Sequence, residues 1–397
     1  MNQPEPTIAA THLLHLQCSG CPRTYPAHQI NTVASCETCG KNTLLCRYEL
    51  DGISKDSIDW QTRSMWRYFP LLPVMDPSNI VSLGEGFTPL FPLTAMGNEL
   101  GMDQLMMKDE SLNPTGSFKA RGMSAAISKA KELGIRKCIV PTAGNAGGAM
   151  AAYCAKAGME AVVVMPEHTP ISFREECERF GARVVLEKGL ISDCARKAMQ
   201  LNQSGEYFDL STLKEPYRLE GKKTMGYEIA EQMNWSLPDA ILYPTGGGTG
   251  LIGIWKAFQE MVQMGWIQGK LPRMYSIQSE RCCPIVDTWT GKQQNARSYV
   301  GQPTVANGLA VPNPMGEQLI LKVMSDSGGI PVAVSEAEII AGERAFATKE
   351  GLLVGPEGAA LWAGLNHLLQ KKHILSDEQV LLLNTGSGYK YFGKPQE

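Results

Sequence analysis

The chain has 397 residues, 43% of them hydrophobic, which is enough for more than one packed domain. Its formal net charge of −3 argues against a nucleic-acid or anionic-membrane partner, because such partners need clustered positive charge. No apolar run approaches the roughly 20 residues of a membrane span, and residues 1–11 lack the features of a secretory signal. We therefore expect a cytoplasmic protein that binds neither nucleic acid nor membrane.

The first motif along the chain is a pair of Cys-x-x-Cys knuckles separated by fourteen residues. They are formed by Cys18, Cys21, Cys36 and Cys39. Paired thiolates at such spacing suit tetrahedral zinc, whereas disulfides are uncommon without a secretory signal. His12 or His15 could replace a thiolate, although four cysteines already complete the usual shell. We expect a structural zinc ribbon with Cys46 outside the set.

The second motif is a lysine on a turn of small residues. Residues 113–119 read Asn-Pro-Thr-Gly-Ser-Phe-Lys, and the alanine-rich run that follows, 120–133, predicts a helix. A lysine docked in a pocket at a helix start is desolvated and lies near positive dipole charge, and both effects lower its pKa. Because the neutral amine can attack an aldehyde, we interpret Lys119 as a Schiff-base lysine rather than a solvated surface charge.

Strand-like runs then alternate with helical ones, for example at 138–141, 161–165, 183–186 and 240–244. This alternation predicts an α/β protein with parallel sheets covered by helices. The turn after the first of these runs reads Thr-Ala-Gly-Asn-Ala-Gly-Gly and leads into a small-residue helix. It places the amide of Asn145 where a ligand oxygen could bind.

A glycine-rich turn, residues 245–250, follows the apolar run 240–243 and precedes a helical run, 251–261. Glycines let backbone N–H groups converge on an anion, and the helix start adds partial positive charge. A tight turn without a ligand is the alternative. The stretch is not a Walker loop, since no Gly-Lys-Ser/Thr follows, and no acidic residue about twenty positions on supports a dinucleotide fingerprint.

A phosphate cradle together with an activated lysine indicates pyridoxal phosphate, whose ring is an electron sink. Asn145 would then bind the phenolic oxygen of the cofactor. Thr385 lies in a hydroxyl-bearing turn after the apolar run 381–383 and would contact the pyridine nitrogen. A hydroxyl in place of an aspartate would leave that nitrogen unprotonated. The cofactor is expected between two domains, at strand carboxyl ends.

With these motifs the chain resembles the fold-type II pyridoxal-phosphate enzymes, and within them the threonine synthase family, over roughly residues 60–392. The resemblance implies a fold similar to the tryptophan synthase β subunit: two three-layer α/β/α domains, with a zinc-ribbon-like segment in front. The expected limits are 1–60 for the ribbon and linker, 61–115 with 236–397 for the large domain, and 116–235 for the small domain. It also implies a small amino-acid substrate and a homodimer.

When the functional residues of the family are matched to this sequence, the resemblance implies that Lys119 is the catalytic lysine and the one that bonds to the cofactor. The other cofactor-binding residues implied are Asn145, Gly246, Gly247, Gly248, Thr249, Gly250 and Thr385. The substrate-binding residues implied are Thr142 and Arg218.

The chain departs from the threonine synthase pattern where a substrate phosphate is bound. Ala146 replaces a hydroxyl residue, and Leu213 and Glu215 stand where a serine and an asparagine are usual, while Arg218 is retained. A carboxylate within ~4 Å of a phosphate repels it by a few kcal/mol unless a cation compensates. The candidate cations are Lys214, Lys222 and Lys223.

The resemblance implies a lyase that converts O-phosphohomoserine and water to threonine and phosphate, with Lys119 moving the protons. The alternative is β-elimination or β-replacement on serine, threonine or phosphoserine, as in dehydratases or cysteate synthases. That reaction needs one proton abstraction and tolerates Ala146 and Glu215. A non-catalytic scaffold is disfavoured, because the set of cofactor residues is intact.

Overall fold

The computed structural model describes residues 10–28, 36–40, 43–296 and 299–392. Its strands are β1 Leu13–Cys18, β2 Thr24–Pro26, β3 Leu44–Tyr48, β4 Leu90–Pro92, β5 Leu105–Asp109, β6 Lys137–Pro141, β7 Glu160–Pro166, β8 Arg183–Glu187, β9 Phe208–Asp209, β10 Ala240–Pro244, β11 Arg273–Ser279, β12 Pro331–Val334 and β13 Val380–Asn384. Its α-helices are α1 Thr94–Leu100, α2 Lys119–Glu132, α3 Asn145–Ala157, α4 Ile171–Arg179, α5 Ile191–Leu201, α6 Tyr217–Gln232, α7 Thr249–Gln263, α8 Pro284–Trp289, α9 Glu317–Ser327, α10 Glu336–Ala345 and α11 Pro356–Gln370.

The N-terminal sheet is antiparallel, with strand order β2-β1-β3. Leu16 at its centre is fully buried and pairs with Tyr25 on one side and Cys46 on the other. Strand β1 ends at Cys18, so the sheet carries the first cysteine knuckle at its end. The buried residues of this small sheet, among them Cys18, pack together with Cys36 into the same hydrophobic core as α2, α6 and α7.

The largest sheet has six strands in the order β12-β11-β10-β13-β5-β4. All neighbours are parallel except β4, which pairs antiparallel with β5 at the edge. Every residue of β10 and β13 is buried, because a central parallel strand is covered by helices on both faces and must be apolar along its whole length. Leu242 and Leu382 are neighbours in this register.

A second parallel sheet has four strands in the order β8-β7-β6-β9. The apolar strands β6 and β7 lie at its centre, where Val140 pairs with Val163. The strands of this sheet come from residues 137–209, and those of the six-stranded sheet from 90–109 and 240–384. We keep the domain limits stated above as a proposal.

Helix α2 is held against its neighbours by a buried ion cluster. Arg121 is fully buried and its guanidinium lies 2.6 Å from Glu110 and 2.7 Å from Glu228 on α6. Lys108 on β5 pairs with the same Glu228 at 2.8 Å. Removing one partner of such a cluster leaves a buried charge uncompensated. The cluster therefore fixes the start of α2, where Lys119 lies.

The four strand-like runs predicted from the sequence are all strands, and each predicted boundary lies within one residue of β6, β7, β8 or β10. Within the described ranges, no helix combines the length and the apolar character that a membrane span requires.

Candidate active site

A cavity of about 150 Å³ lies where the carboxyl ends of β6, β10 and β13 meet, the edge at which open α/β sheets bind ligands. The predicted residues that line it are Lys119, Thr142, Asn145, Arg218, Gly246, Gly247, Gly248, Thr249 and Thr385. Gly250 follows in the first turn of α7. The structure thus brings all the predicted cofactor and substrate residues to one place.

Lys119 is the first residue of α2 and its amine lies 4.5 Å from the centre of the Phe118 ring. Burial and the nearby charge of Arg218 lower the pKa of Lys119 to about 7, against an opposing effect of Glu357. A large part of this lysine population is therefore a neutral amine near neutral pH, which is the form that acts as nucleophile or base.

Asn145 is the first residue of α3, and the turn before it is shaped by Thr142, whose hydroxyl accepts the Gly144 N–H at 3.1 Å. The side-chain carbonyl oxygen of Asn145 is buried without a hydrogen-bond partner among the described residues. Buried polar atoms are normally satisfied, so this one indicates a place for a ligand group.

The glycine-rich turn between β10 and α7 forms a close-fitting wall of the cavity. A Cβ at Gly246 would overlap the backbone oxygen of Gly308. Gly248 has a left-handed φ of +74° and caps the N-terminus of α7. Because the first N–H groups of a helix have no intrahelical acceptor, this arrangement suits a bound phosphate.

The turn that carries Thr385 is joined to the turn that carries Lys119. The Phe118 N–H donates to the backbone carbonyl oxygen of Thr385 at 3.1 Å, and the Ser387 N–H donates to the backbone carbonyl oxygen of Gly116 at 2.9 Å. These bonds join two turns that are far apart in the sequence, and Lys119 and Thr385 both line the cavity.

Among the cavity residues that the sequence did not indicate are Glu357 and Tyr391. Glu357 accepts the Gly308 N–H at 2.7 Å and the Tyr391 hydroxyl at 2.8 Å. The stretch Gly-Pro-Glu-Gly signals a helix start, since proline is favoured at the first helical position, and α11 does begin at Pro356. That signal could not show that the carboxylate faces Lys119.

Arg218 and Glu215 have different neighbours from those expected. Arg218 is 3% exposed; its guanidinium donates to the Leu210 oxygen, and its Nε has no partner among the described residues. Glu215 accepts the backbone N–H groups of Tyr217 at 2.7 Å and Arg218 at 2.9 Å, so its carboxyl caps α6. Burial raises the pKa of Glu215 to about 7, while Arg218 opposes the rise.

Comparison with known proteins identifies the family. Residues 81–386 match the family model described as pyridoxal-phosphate dependent enzyme. The chain belongs to this family. A threonine synthase of Methanocaldococcus jannaschii is 35% identical over 377 residues, 94% of this chain and 92% of that protein. A threonine synthase of Methanosarcina acetivorans is 33% identical over 377 residues, 94% of this chain and 91% of that protein.

Solved structures share the fold at low sequence identity. Maize serine racemase superposes with a TM-score of 0.63 and 19% identity, covering 76% of this chain and 88% of that one. Diaminopropionate ammonia lyase from Escherichia coli gives 0.65 and 19%, covering 80% and 90%. The predicted fold-type II architecture and the prediction of a pyridoxal-phosphate-dependent lyase are confirmed.

The cavity fits pyridoxal phosphate on its own chemistry. It offers a lysine whose pKa lies near 7, an unsatisfied buried amide oxygen at Asn145, and a glycine wall at a helix start. Each corresponds to one part of the cofactor: the aldehyde, the phenolic oxygen and the phosphate.

Two of the three lysines expected to compensate Glu215 have other partners. Lys214 lies 2.6 Å from Asp209, and Lys223 lies 2.7 Å from Glu220 in a buried cluster with Glu260. Lys222 lies at the glycine-rich turn, 2.5 Å from the Thr249 hydroxyl. Nothing in the sequence distinguished these three lysines, but their surroundings in the structure differ.

The four cysteines of the two knuckles come together. The sulfur atoms of Cys18, Cys21, Cys36 and Cys39 all lie within 4.8 Å of one another. Cys18 Sγ is 3.4 Å from Cys39 Sγ, and Cys21 Sγ is 3.6 Å from Cys36 Sγ. Four thiols at about these separations fit the corners of a tetrahedral zinc site with ~2.3 Å bonds. Cys46 and the two histidines are outside this cluster in the described part of the chain.

Proposed function

We propose that the protein converts O-phosphohomoserine and water to threonine and phosphate, in the manner of a threonine synthase. The observation that carries the proposal is the guanidinium of Arg218, which lines the same cavity as Lys119 and has a buried Nε without a partner. An unsatisfied buried arginine needs an anion, and a phosphate or carboxylate is the anion whose geometry it matches. The two relatives named threonine synthase support threonine as the product.

We assign Lys119, Asn145, residues 246–250 and Thr385 to hold the cofactor. When bound, pyridoxal phosphate supplies an electron sink that acidifies the Cα proton of the amino acid. Thr385 offers a hydroxyl rather than a carboxylate to the pyridine nitrogen, which leaves that nitrogen without a strong anionic partner.

Lys119 carries the proton transfers in this proposal. With its pKa near 7, the released amine can take the Cα proton at neutral pH, move a proton from Cβ to Cγ, and return a proton to Cα. One base serves several positions because the amine lies at the start of α2, held by the buried Arg121 cluster. Loss of phosphate from Cγ and addition of water at Cβ then complete the reaction.

Arg218 holds the anionic group of the substrate. The capping role of Glu215 reduces the repulsion expected from the sequence, because two backbone N–H groups share its charge. With a pKa near 7, Glu215 is also neutral in part of the population at pH 7. Glu215 therefore repels a substrate phosphate less strongly than its position in the sequence indicated.

The second candidate is β-elimination or β-replacement on serine, threonine or phosphoserine. Ala146 favours it, since this buried residue of α3 brings no hydroxyl to a substrate phosphate. Such a reaction requires only removal of the Cα proton by Lys119 and departure of a group at Cβ.

One assay separates the two candidates. Phosphate release and amino-acid products are measured with O-phosphohomoserine, serine, threonine and phosphoserine, each at matched concentration. The first proposal requires threonine and phosphate from O-phosphohomoserine. Keto acid from serine or threonine, or a β-replacement product from phosphoserine, with O-phosphohomoserine unused, would replace it with the second.

We also propose that Cys18, Cys21, Cys36 and Cys39 bind one structural zinc ion. A closed set of four thiolates leaves no open position for substrate, so the ion would stabilise the N-terminal sheet and take no part in the reaction.

A further inference from the structure

Among the residues that the structure describes, five lysines are buried on strand β5 and helices α2, α6 and α7. Four of them have a carboxylate partner: Lys108 with Glu228 at 2.8 Å, Lys129 with Glu132 at 2.5 Å, Lys223 with Glu220 at 2.7 Å, and Lys256 with Glu260 at 2.7 Å. The fifth, Lys222, is 0% exposed and has no carboxylate within 4.0 Å in the part of the chain that the structure describes. This lysine therefore differs from the other four in having no carboxylate in ion-pair contact among the described residues.

The position of Lys222 relates it to the glycine-rich turn. Its amine lies 2.5 Å from the hydroxyl of Thr249, the first residue of α7, and 5.0 Å from the Phe118 ring. The amine of Lys119 lies 4.5 Å from the same ring. Lys222 thus contacts the residue at which α7 begins, and it reaches the cavity lining through Thr249 rather than lining the cavity itself.

The surroundings of Lys222 are electrostatically unfavourable without a ligand. Burial is the main cause that lowers the pKa of this lysine, and the charges of Lys119 and Arg218 lower it further, with only Glu215 opposing them. A buried cation without a partner is costly, and a bound anion would remove that cost. A phosphate monoester carries close to two negative charges at neutral pH.

We propose that Lys222 is the positive charge that recognises the phosphate of the cofactor at the Thr249 end of the turn. The amine donates to the Thr249 oxygen, which leaves the hydroxyl proton of Thr249 free to be donated to a phosphate oxygen. The helix start then supplies backbone N–H groups, and Lys222 supplies a full charge. The proposal rests on the cofactor of the family and is independent of which reaction the enzyme catalyses.

The test compares two ligands that differ only in the phosphate. Full-length protein freed of cofactor is titrated with pyridoxal phosphate and with pyridoxal, and binding is followed by visible absorbance and by calorimetry. In Lys222→Gln, which keeps a donor for Thr249 but no charge, the affinity for pyridoxal phosphate should fall about 10- to 100-fold. The affinity for pyridoxal should stay within about twofold, because that ligand has no charge to lose.

Two further variants guard against a purely structural effect. Lys222→Arg restores the charge and should recover most of the preference for pyridoxal phosphate over pyridoxal. Lys214→Gln removes a lysine that is paired with Asp209 outside the cavity lining, and should leave both affinities unchanged. An equal loss of affinity for both ligands in Lys222→Gln, or no loss for pyridoxal phosphate, would overturn the proposal.

Discussion

Replacement of Arg218 by alanine tests the proposed substrate site most directly. Arg218 is 3% exposed and lines the cavity. One guanidinium N–H donates to the backbone oxygen of Leu210, and the Nε has no hydrogen-bond partner among the described residues. A charge-assisted pair of hydrogen bonds to the substrate phosphate is worth roughly 2 to 4 kcal/mol. Arg218→Ala should therefore lower kcat/KM for O-phosphohomoserine about 30- to 900-fold.

Part of this loss should depend on pH. Arg218 is one cause of the lowered pKa of Lys119, so removing it raises that pKa and leaves less neutral amine at pH 7. A rise in the pKa of the base moves the acid limb of the rate profile to higher pH. Measuring kcat across pH 6 to 9 isolates this effect, because kcat reports the pKa values of the enzyme–substrate complex, in which the Lys119 amine is released. The lost phosphate contact, in contrast, is the same at every pH above the phosphate's own pKa of about 6.

The assay measures phosphate release and threonine formation together with the visible absorbance of the bound cofactor. The absorbance should be almost unchanged, because Arg218 is assigned to the substrate. Lys214→Gln is the matched control, since it removes a nearby cation already paired with Asp209, and it should change kcat/KM less than about threefold. If Arg218→Ala kept wild-type kcat/KM for O-phosphohomoserine with its cofactor in place, the assignment of Arg218 to the substrate anion would be wrong.

Three other predictions follow from the same contacts. Lys119→Ala should abolish both turnover and the visible absorbance of the bound cofactor, measured on purified protein; a coloured, active variant would exclude this lysine as the attachment point. The rate of cofactor attachment to cofactor-free protein should rise about tenfold between pH 6 and pH 8 and then level off, because an amine with a pKa near 7 is almost fully neutral above pH 8. A rise of about 100-fold over that range that continues above pH 9 would indicate an unperturbed lysine. Wild-type protein should contain one zinc ion per chain by metal analysis, and Cys36→Ser should contain less. The variant should also lower the thermal stability of the N-terminal sheet and have little effect on the absorbance of the cofactor. Wild-type protein without zinc would contradict the assignment.

Several features could be predicted from the sequence because they depend on short stretches of chain. The cysteine knuckles place two sulfurs each within a few residues, and the four sulfurs do meet. The glycine-rich turn between a buried strand and a helix is also a local property, as is the lysine at the start of α2. Alternating apolar runs predicted the parallel sheets, since central strands of such sheets must be apolar on both faces. Within each parallel sheet the carboxyl ends of the strands then had to share one edge.

Contacts between distant segments could not be predicted in this way. The bond from the Phe118 N–H to the Thr385 oxygen joins two turns that no local pattern relates. The carboxylate of Glu357 meets the cavity of Lys119 only because α11 starts at the same sheet edge. Glu215 was expected beside a substrate phosphate, but it caps α6, since two free backbone N–H groups lie within its reach.

Lys222 and Lys223 show most clearly the difference between what the sequence determines and what the tertiary structure determines. They are adjacent in the sequence, and composition and charge give no reason to treat them differently. On a helix of 3.6 residues per turn, adjacent side chains point about 100° apart. Lys223 therefore reaches Glu220 and Glu260, while Lys222 reaches Thr249 at the glycine-rich turn. The residue types alone determined that a buried lysine needs an anion close by. The packing of α6 against α7 decided that Lys223 pairs with carboxylates of the protein and that Lys222 lies at the glycine-rich turn, where we propose that a ligand phosphate supplies the negative charge.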